Sequence, residues 1–245
     1  MHVIQPDWPA APWIKAASTT RTGGCSQGAY ASLNLGLHVA DDPAHVGQNR
    51  LRLIHHLGLD KEPIWLNQVH GPEIVEAATS QPGTSADGSI AREPSVACAV
   101  LTADCLPILM ARQDGKAVAA LHGGWKGLHA GILEAAVQRV ETQRLWVWLG
   151  PAIGPKAFEV GPEVQQAFLL KDPRLAAAFK PHLQGKWLAD LYEIARILLE
   201  ISGIPRSQVF GGHWCTYTQT NEFFSYRRDP VTGRMATLIW LEPHS

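Results

Sequence analysis

The run LTADCLPILM at residues 101–110 has the composition of a buried β-strand, except for two residues near its middle. Leucine, isoleucine and methionine dominate the run, but Asp104 and Cys105 place an acid and a thiol side by side within it. Such a pair in a core-like run needs a chemical reason. Metal ligation by Cys105 would supply that reason. Further ligands would then be expected at the ends of the other apolar runs.

Apolar runs of strand length alternate with helical patterns along the rest of the chain. Strands are predicted within residues 63–71, 95–111, 117–124 and 144–155, and two more within 223–241, joined by the turn DPVTG. Helices are predicted from Pro43 to a stop at Gly58 and within residues 125–141, 159–170 and 186–204. The mixture predicts one domain of the α+β, or mixed α/β, class.

Whole-chain totals narrow the class of protein. Of the 245 residues, 46% are hydrophobic and 18% are charged, which is typical of a globular chain and argues against extensive disorder. The formal net charge of -1 gives no basis for binding nucleic acid or an acidic membrane surface. There is no secretory signal pattern, no membrane-length apolar segment and no CxxC pair among the four cysteines. We therefore expect a cytoplasmic protein that binds a small molecule.

Residues that can ligate a metal ion lie at three predicted strand ends. His70 ends WLNQVH, Cys105 interrupts LTADC and His122 ends AVAALH. Two imidazoles and a thiolate are ligands that Zn²⁺ accepts readily, and three protein ligands leave a fourth position open, as in a catalytic site. Asp104 could then orient a histidine or handle a proton, or could be a structural hydrogen-bond acceptor. The alternative is a buried cysteine and two histidines that are simply hydrogen-bonded.

Three further residues are candidates for substrate binding. Lys126 follows His122 in HGGWKG, where a glycine turn into a helix offers free N–H groups to an anion. Arg21 in TTRTGG could fork onto a phosphate or a carboxylate, or could pair with a surface acid. Asn67 and Gln68 precede His70, and one of them should face the same pocket. An exposed lysine in an ordinary strand-to-helix turn is the alternative for Lys126.

Taken together, these motifs closely resemble the multicopper polyphenol oxidase or laccase-domain family, also called peptidoglycan editing factor and purine nucleoside phosphorylase. The match runs in order from about Thr19 to Leu241. The motifs are TTRTGG, YASLNLGLHVADDP, NQVHG, LTADCLP, HGGWKG, LGPAIGP with FEVG, and FFSYRRDPVTGRMATLIW. This chain has HGGWKG where the family commonly has alanine and arginine, and Lys126 therefore lacks the planar fork of arginine.

The resemblance implies a single domain over residues 1–245 with a cysteine-hydrolase-like fold. That fold has two mixed β-sheets flanked by helices, in α/β/β/α layers. The resemblance also implies a metal site at His70, Cys105 and His122. From the residues themselves, we expect Cys105, His122 and Asp104 to be catalytic. The implied activity is phosphorolysis of adenosine, inosine, guanosine and methylthioadenosine by inorganic phosphate, with adenosine deamination beside it.

The residues also bear on copper oxidation, on thiol hydrolysis and on a purely structural metal site. The 11 histidines include no HxH and one adjacent pair, His55 and His56, so the chain lacks the paired histidines of a four-copper laccase. A single Cu²⁺ at the two-histidine, one-cysteine site is a possible alternative to Zn²⁺. A hydrolase with Cys105 as nucleophile and His122 as base, acting on a cell-wall precursor amide, is another. A closed structural metal site would need a fourth ligand, for which His129 and His213 are the candidates.

Overall fold

Helices and strands alternate along the chain in the computed structural model, which describes residues 1–94, 96–142 and 144–243. The helices are α1 (Pro43–Leu57), α2 (Trp125–Ala130), α3 (Ile132–Val140), α4 (Pro162–Lys171) and α5 (Leu191–Ile201). The strands are β1 (Val3–Ile4), β2 (Ile14–Thr19), β3 (Ile74–Glu76), β4 (Gly88–Ala91), β5 (Cys98–Thr102), β6 (Leu106–Arg112), β7 (Val118–Gly123), β8 (Leu145–Leu149), β9 (Glu159–Val160), β10 (Phe179–Pro181), β11 (Trp187–Ala189), β12 (Val209–Gly211) and β13 (Met235–Leu241). Ser95, the first residue of one predicted strand run, lies outside the described residues, and so do Gln143, His244 and Ser245.

The described strands form three sheets. A six-stranded sheet has the order β12-β8-β6-β7-β4-β3 and is mixed, because β12 is parallel to β8 and β3 is parallel to β4. A four-stranded sheet, β1-β2-β13-β5, and a three-stranded sheet, β10-β11-β9, are antiparallel. The α+β class is confirmed. The sheets differ in detail from the two mixed sheets that were expected, since one is mixed and two are antiparallel.

The LTADCLPILM run is the point where the chain crosses from one sheet to another. The run is two strands, β5 in the four-stranded sheet and β6 in the six-stranded sheet. Asp104 lies between them with φ 94°, in the left-handed region that non-glycine residues seldom adopt. Asp104 and Cys105 therefore interrupt the apolar run because the backbone turns there, and Cys105 directly precedes β6.

Separate hydrophobic cores lie between the successive layers. Leu106, Ile108 and Met110 of β6 pack toward the helices α2, α3 and α5. Leu109 and Ala111 point the other way, into the core between the two larger sheets. Each fully buried leucine or isoleucine contributes roughly 1.5–3 kcal/mol. On the far side, Leu53 of α1 packs with Leu101 and Leu238 of the four-stranded sheet, so the expected α/β/β/α order of layers is confirmed.

Helix α1 is confirmed with its predicted ends. Asp42 accepts a hydrogen bond from the N–H of Ala44 at the start, and Gly58 ends the helix in the left-handed conformation. The buried face of α1 is partly polar. Leu51 is 68% exposed, whereas Asn49 is fully buried and donates to the carbonyl of Asn34.

Two predicted helices are divided. Gly131, with φ 101°, separates α2 from α3 within residues 125–141. Residues 187–189 form the strand β11, and α5 begins after Asp190, whose carboxylate accepts from the N–H groups of Tyr192 and Glu193. A capping aspartate, placed after a short apolar strand, sets the true start of that helix.

Two predicted strands are wrong. Residues 63–71 form isolated bridges at Ile64 and Asn67 only. In the tail, β13 is the single strand. Residues 223–225 are irregular, with the N–H of Phe224 donating to Met235 Sδ, and residues 226–228 form a turn. Among the described residues, no helix is both long and apolar enough to span a membrane.

Candidate metal centre and active site

The three predicted metal ligands meet at one end of β6 and β7, the central strands of the six-stranded sheet. Strands β6 and β7 are antiparallel and pair Leu106 with Gly123, which brings Cys105 beside His122. His70 arrives from a loop before β3 and has φ 62°, a left-handed conformation that turns its side chain into the group. Residues far apart in the sequence are thus brought together by strand pairing and by one strained turn.

The geometry of the group suits a metal ion. The ligand atoms of His70, Cys105 and His122 all lie within 4.8 Å of one another, and His70 Nε2 is 4.0 Å from Cys105 Sγ. A tetrahedral zinc site with bonds of about 2.0–2.3 Å holds its ligand atoms about 3.3–3.8 Å apart, so a small contraction is enough. His122 is buried and His70 is exposed, which leaves the group open on the His70 side.

Asp87, which the sequence analysis missed, braces the group. Its carboxylate lies 2.7 Å from His122 Nδ1 and accepts the backbone N–H groups of Val69, His70 and Gly71 at 2.8–3.0 Å. The bond to Nδ1 leaves His122 Nε2 for a metal, the usual second contact of a ligating histidine. No sequence signal marked Asp87, because β4, the short strand that follows it, was not predicted.

Charges within the group favour the forms that bind metals. Burial acts to raise the pKa of Cys105, but the charge of His122 and the hydrogen bonds with His122 and His70 lower it to about 6. Burial acts to lower the pKa of His122, but the charge of Cys105 and the hydrogen bond with Asp87 raise it to about 9. A thiolate facing an imidazolium follows for the metal-free protein at neutral pH, and the thiolate is the form that ligates metals.

Among the described residues, the hydrogen-bond partners of Asp104 are loop residues and not the histidines of the metal-ligand group. Its carboxylate accepts the hydroxyl of Thr216 at 2.6 Å and the backbone N–H of Arg227 at 2.6 Å, and its carbonyl accepts the N–H of Ile153. These are the contacts of the structural acceptor that the sequence left as the alternative. Asp104 ties three loops together one residue away from Cys105.

The predicted substrate-binding residues have other partners in the structure. Arg21 donates to the carbonyls of Ala31 and Thr220 and stacks on Phe224, so it neither pairs with a surface acid nor presents a free fork. Lys126 is exposed on α2 with its ammonium 5.9 Å from the ring of Trp125.

The residues before His70 form hydrogen bonds within the protein, and the two candidate fourth ligands pack against aromatic rings. Asn67 is exposed and donates to Ser85, whereas Gln68 exchanges two hydrogen bonds with the backbone of Leu101. His129 packs edge-on against a phenylalanine and His213 stacks on a tryptophan. Neither histidine belongs to the metal-ligand group that the described residues form, which argues against the closed structural site.

The three ligand side chains converge on the backbone of Gly124. A Cβ at this position would lie 3.0 Å from His70 Cδ2, 3.3 Å from Cys105 Sγ and 3.5 Å from His122 Cε1. Gly124 has φ -64° and ψ 151°, which any residue adopts, so glycine is needed here for space alone. The missing side chain leaves a cradle against all three ligands, and this space fits a metal ion.

Gly124→Ala is expected to weaken metal binding severalfold. The added methyl group would force His70 and Cys105 to move by a few tenths of an ångström, because its contacts with both are tighter than ordinary van der Waals distances. Competition between the protein and a chelator for Zn²⁺ measures the change. Gly47→Ala on α1 is the matched control, since a Cβ there meets nothing within 4 Å. Equal zinc affinity in the two variants would show that the cradle is not used.

The chain is similar to known proteins over nearly its whole length. The family model described as multi-copper polyphenol oxidoreductase laccase matches residues 15–242. Purine nucleoside phosphorylase YfiH of Escherichia coli (strain K12) is 49% identical over 243 residues, covering 98% of both chains. Purine nucleoside phosphorylase PA4543 of Pseudomonas aeruginosa is 49% identical over 242 residues, again covering 98% of both.

Solved structures share the fold over the same length. The crystal structure of Neisseria meningitidis protein NMB0706 has a TM-score of 0.95 at 46% identity and covers 99% of this chain and 100% of that one. YlmD from Geobacillus stearothermophilus has a TM-score of 0.94 at 31% identity, covering 99% and 97%. Since the family model and these relatives extend over nearly all of its residues, the chain belongs to the multi-copper polyphenol oxidoreductase laccase family.

Proposed function

We propose that the chain is a cytoplasmic, metal-dependent purine nucleoside phosphorylase. Its substrates are inorganic phosphate and adenosine, inosine, guanosine or methylthioadenosine, and it deaminates adenosine as a side activity. The observation that carries this proposal is the group of His70, Cys105 and His122, which is open on one side and braced by Asp87. Support also comes from relatives at 49% identity that bear the name purine nucleoside phosphorylase.

The three donor atoms favour Zn²⁺ as the metal of this site. Two imidazoles and one thiolate suit Zn²⁺, with Cu²⁺ as the alternative because it binds nitrogen and sulfur ligands tightly. When bound, the ion supplies Lewis-acid stabilisation of negative charge that develops on substrate oxygen or nitrogen. Asp87 keeps His122 in the tautomer and orientation that ligation needs, and its backbone contacts hold the His70 loop in position.

The reaction sets clear tasks for the residues around the group. Phosphorolysis breaks the bond between ribose C1′ and a purine nitrogen, and the electron pair of that bond leaves with the base. A phosphate oxygen then forms the new bond to C1′. The base needs an apolar surface beside the polar centre. Val69, 54% exposed, precedes His70, and Tyr226, 57% exposed, precedes Arg227, whose N–H bonds to Asp104. These two side chains are suited to contact the faces of a purine.

The substrate-binding roles expected for Lys126, Arg21 and Asn67 are outer contacts in this proposal. Lys126 lies on the helix behind His122 and keeps an exposed ammonium that can approach a phosphate. Arg21 and Asn67 already donate to backbone carbonyls and to a serine hydroxyl, so binding a substrate would cost them those bonds. Asp104 acts by holding the loops that border Cys105.

The test is phosphate dependence of base release by the zinc-loaded protein. Incubation with adenosine is expected to release adenine and ribose 1-phosphate in equal amounts, at a rate that rises with inorganic phosphate and saturates. Inosine and ammonia should form from adenosine more slowly and without any need for phosphate. Chromatography of bases and sugars measures both reactions. Adenine release that is unaffected by omission of phosphate would contradict the proposal.

A thiol hydrolase is the second candidate, favoured by one observation. With the pKa of Cys105 lowered to about 6 beside His122, the metal-free site holds a thiolate and an imidazolium, as a cysteine hydrolase requires. Its substrate class is an amide such as a cell-wall precursor. Chelation separates the candidates, because it removes the ion that the phosphorylase needs and frees Cys105 for the hydrolase. Amide hydrolysis that rises as zinc is removed would favour the hydrolase.

A further inference from the structure

Arg234 stands beside the metal-ligand group without an acidic partner. β13 begins at Met235, which pairs with Thr102 at the end of β5, so Arg234 lies opposite the segment that turns toward Cys105. The side chain is half-buried. Within residues 1–94, 96–142 and 144–243 it forms no ion pair, and its guanidinium bonds only to backbone carbonyls. Keeping a half-buried charge without a counter-ion costs free energy, and a bound anion would reduce that cost.

Neighbouring residues hold Arg234 in one orientation. Its N–H donates to the side-chain oxygen of the fully buried Asn34, at 2.9 Å. Nη1 donates to the carbonyls of Thr232 and Gly233 at 3.1 and 3.0 Å. The side chain lies against Gly36, where a Cβ would be 2.9 Å from Arg234 Cγ. This leaves one edge of the guanidinium, Nε and Nη2, with no acceptor among the residues that the structure describes.

The surroundings of that edge are those of an anion site. The guanidinium carbon is 5.7 Å from the ring centre of Tyr226, one of the two side chains suited to a purine. Burial lowers the pKa of Arg234, while the charges of Cys105 and Asp104 act to raise it, so the arginine lies within electrostatic reach of the metal-ligand group. Burial lowers the pKa of His38 as well, and the charges of Arg234, Arg50 and His122 lower it further. An anion in this region would relieve the repulsion among these groups.

Two other arginines near the site differ from Arg234. Arg227 is exposed, so water can solvate its charge, and it donates through Nη1 to the carbonyl of Glu159 and stacks over Phe158. Arg228 donates to three backbone carbonyls and to a neighbouring aspartate, and so it holds the loop in place. Arg234 is therefore better placed than these arginines to give a free fork to a ligand.

We propose that Arg234 binds inorganic phosphate through its Nε and Nη2 edge, next to the group of His70, Cys105 and His122. The assignment rests on the proposed function, in which phosphate is the second substrate. A guanidinium edge matches two oxygens of a phosphate, and such charge-assisted pairs are among the stronger hydrogen bonds in proteins. The phosphate also neutralises a half-buried charge that has no acidic partner among the described residues.

Isothermal titration of the zinc-loaded full chain with inorganic phosphate tests the assignment. Arg234→Gln is expected to raise the Kd for phosphate by about tenfold or more, and Arg234→Lys, which keeps the charge and loses the fork, by a smaller factor. Zinc content and melting temperature should stay at the wild-type values in both. Arg112→Lys is the matched control, because its half-buried guanidinium is tied to Asp114 and to a carbonyl at the opposite end of β6.

The outcomes separate this assignment from the proposed reaction. Wild-type phosphate affinity in Arg234→Gln would overturn the assignment, even if the wild-type enzyme is a phosphorylase. Phosphate binding that depends on Arg234 in a protein that releases no base would support the assignment and reject the reaction. Loss of zinc or of thermal stability in both Arg234 variants would give the residue a purely structural role, and would also overturn the assignment.

Discussion

Replacement of Cys105 by alanine is expected to abolish both zinc binding and phosphate-dependent base release, with a loss of rate of about 10³-fold or more. The factor reflects a metal contribution of several kcal/mol, at 1.36 kcal/mol for each tenfold change in rate. The substitution removes the one thiolate among the ligand atoms, and the two imidazoles that are left form a much weaker site. The fold should persist, since Cys105 is only partly buried, lies just outside β6 and interacts through its sulfur with His70 and His122. Metal analysis, the base-release assay and a thermal melt measure the three effects.

A companion variant separates a metal ligand from a nucleophile. His70→Asn removes an imidazole that a hydrolase built on Cys105 and His122 would not need. Asparagine tolerates the left-handed conformation of His70, at φ 62°, so the backbone is not strained by the change. We expect this variant to lose zinc and activity together. Cys25→Ala is the control, because that thiol bonds to His45 and Asn49, away from the group, and should leave both properties intact.

Local signals in the sequence were enough for elements whose ends are set by neighbouring residues. Asp42, Pro43 and Gly58 delimit α1 because a cap, a fixed φ and a left-handed glycine act within one turn of the chain. The division of residues 186–204 was missed because Trp187 and Leu188 suit an apolar strand as well as a helix. Their pairing with β9 and β10 decides the matter, and that pairing is tertiary.

The same distinction applies to the site. Cys105 and His122 stood out because each breaks or ends an apolar run, and the family resemblance joined them with His70. Asp87 was missed because its role depends on three N–H groups of the His70 loop and one histidine nitrogen, which only the folded chain brings together. Arg234 was missed for a related reason. Its significance lies in the lack of an acidic partner, which no sequence pattern displays.

Asp87→Asn is expected to weaken zinc binding by about 10–100-fold, the usual effect of losing the carboxylate that supports a ligating histidine. The fully buried carboxylate accepts from His122 and from the backbone of Val69, His70 and Gly71. An amide of the same size has one acceptor oxygen, and its NH₂ group must face donors instead. At least one buried donor loses its partner, which lowers the free energy of unfolding by about 1–3 kcal/mol.

Chelator competition for Zn²⁺ and thermal melts measure the two effects of Asp87→Asn. Asp114→Asn is the matched control, because it also removes one carboxylate charge, but from a partly exposed pair with Arg112 at the far end of β6. Its zinc affinity should stay within about twofold of the wild-type value, since charges at that distance are screened by water and salt. If Asp87→Asn and Asp114→Asn hold zinc equally well, His122 keeps its orientation without Asp87, and the bracing of the metal-ligand group must come from the strand pairing alone.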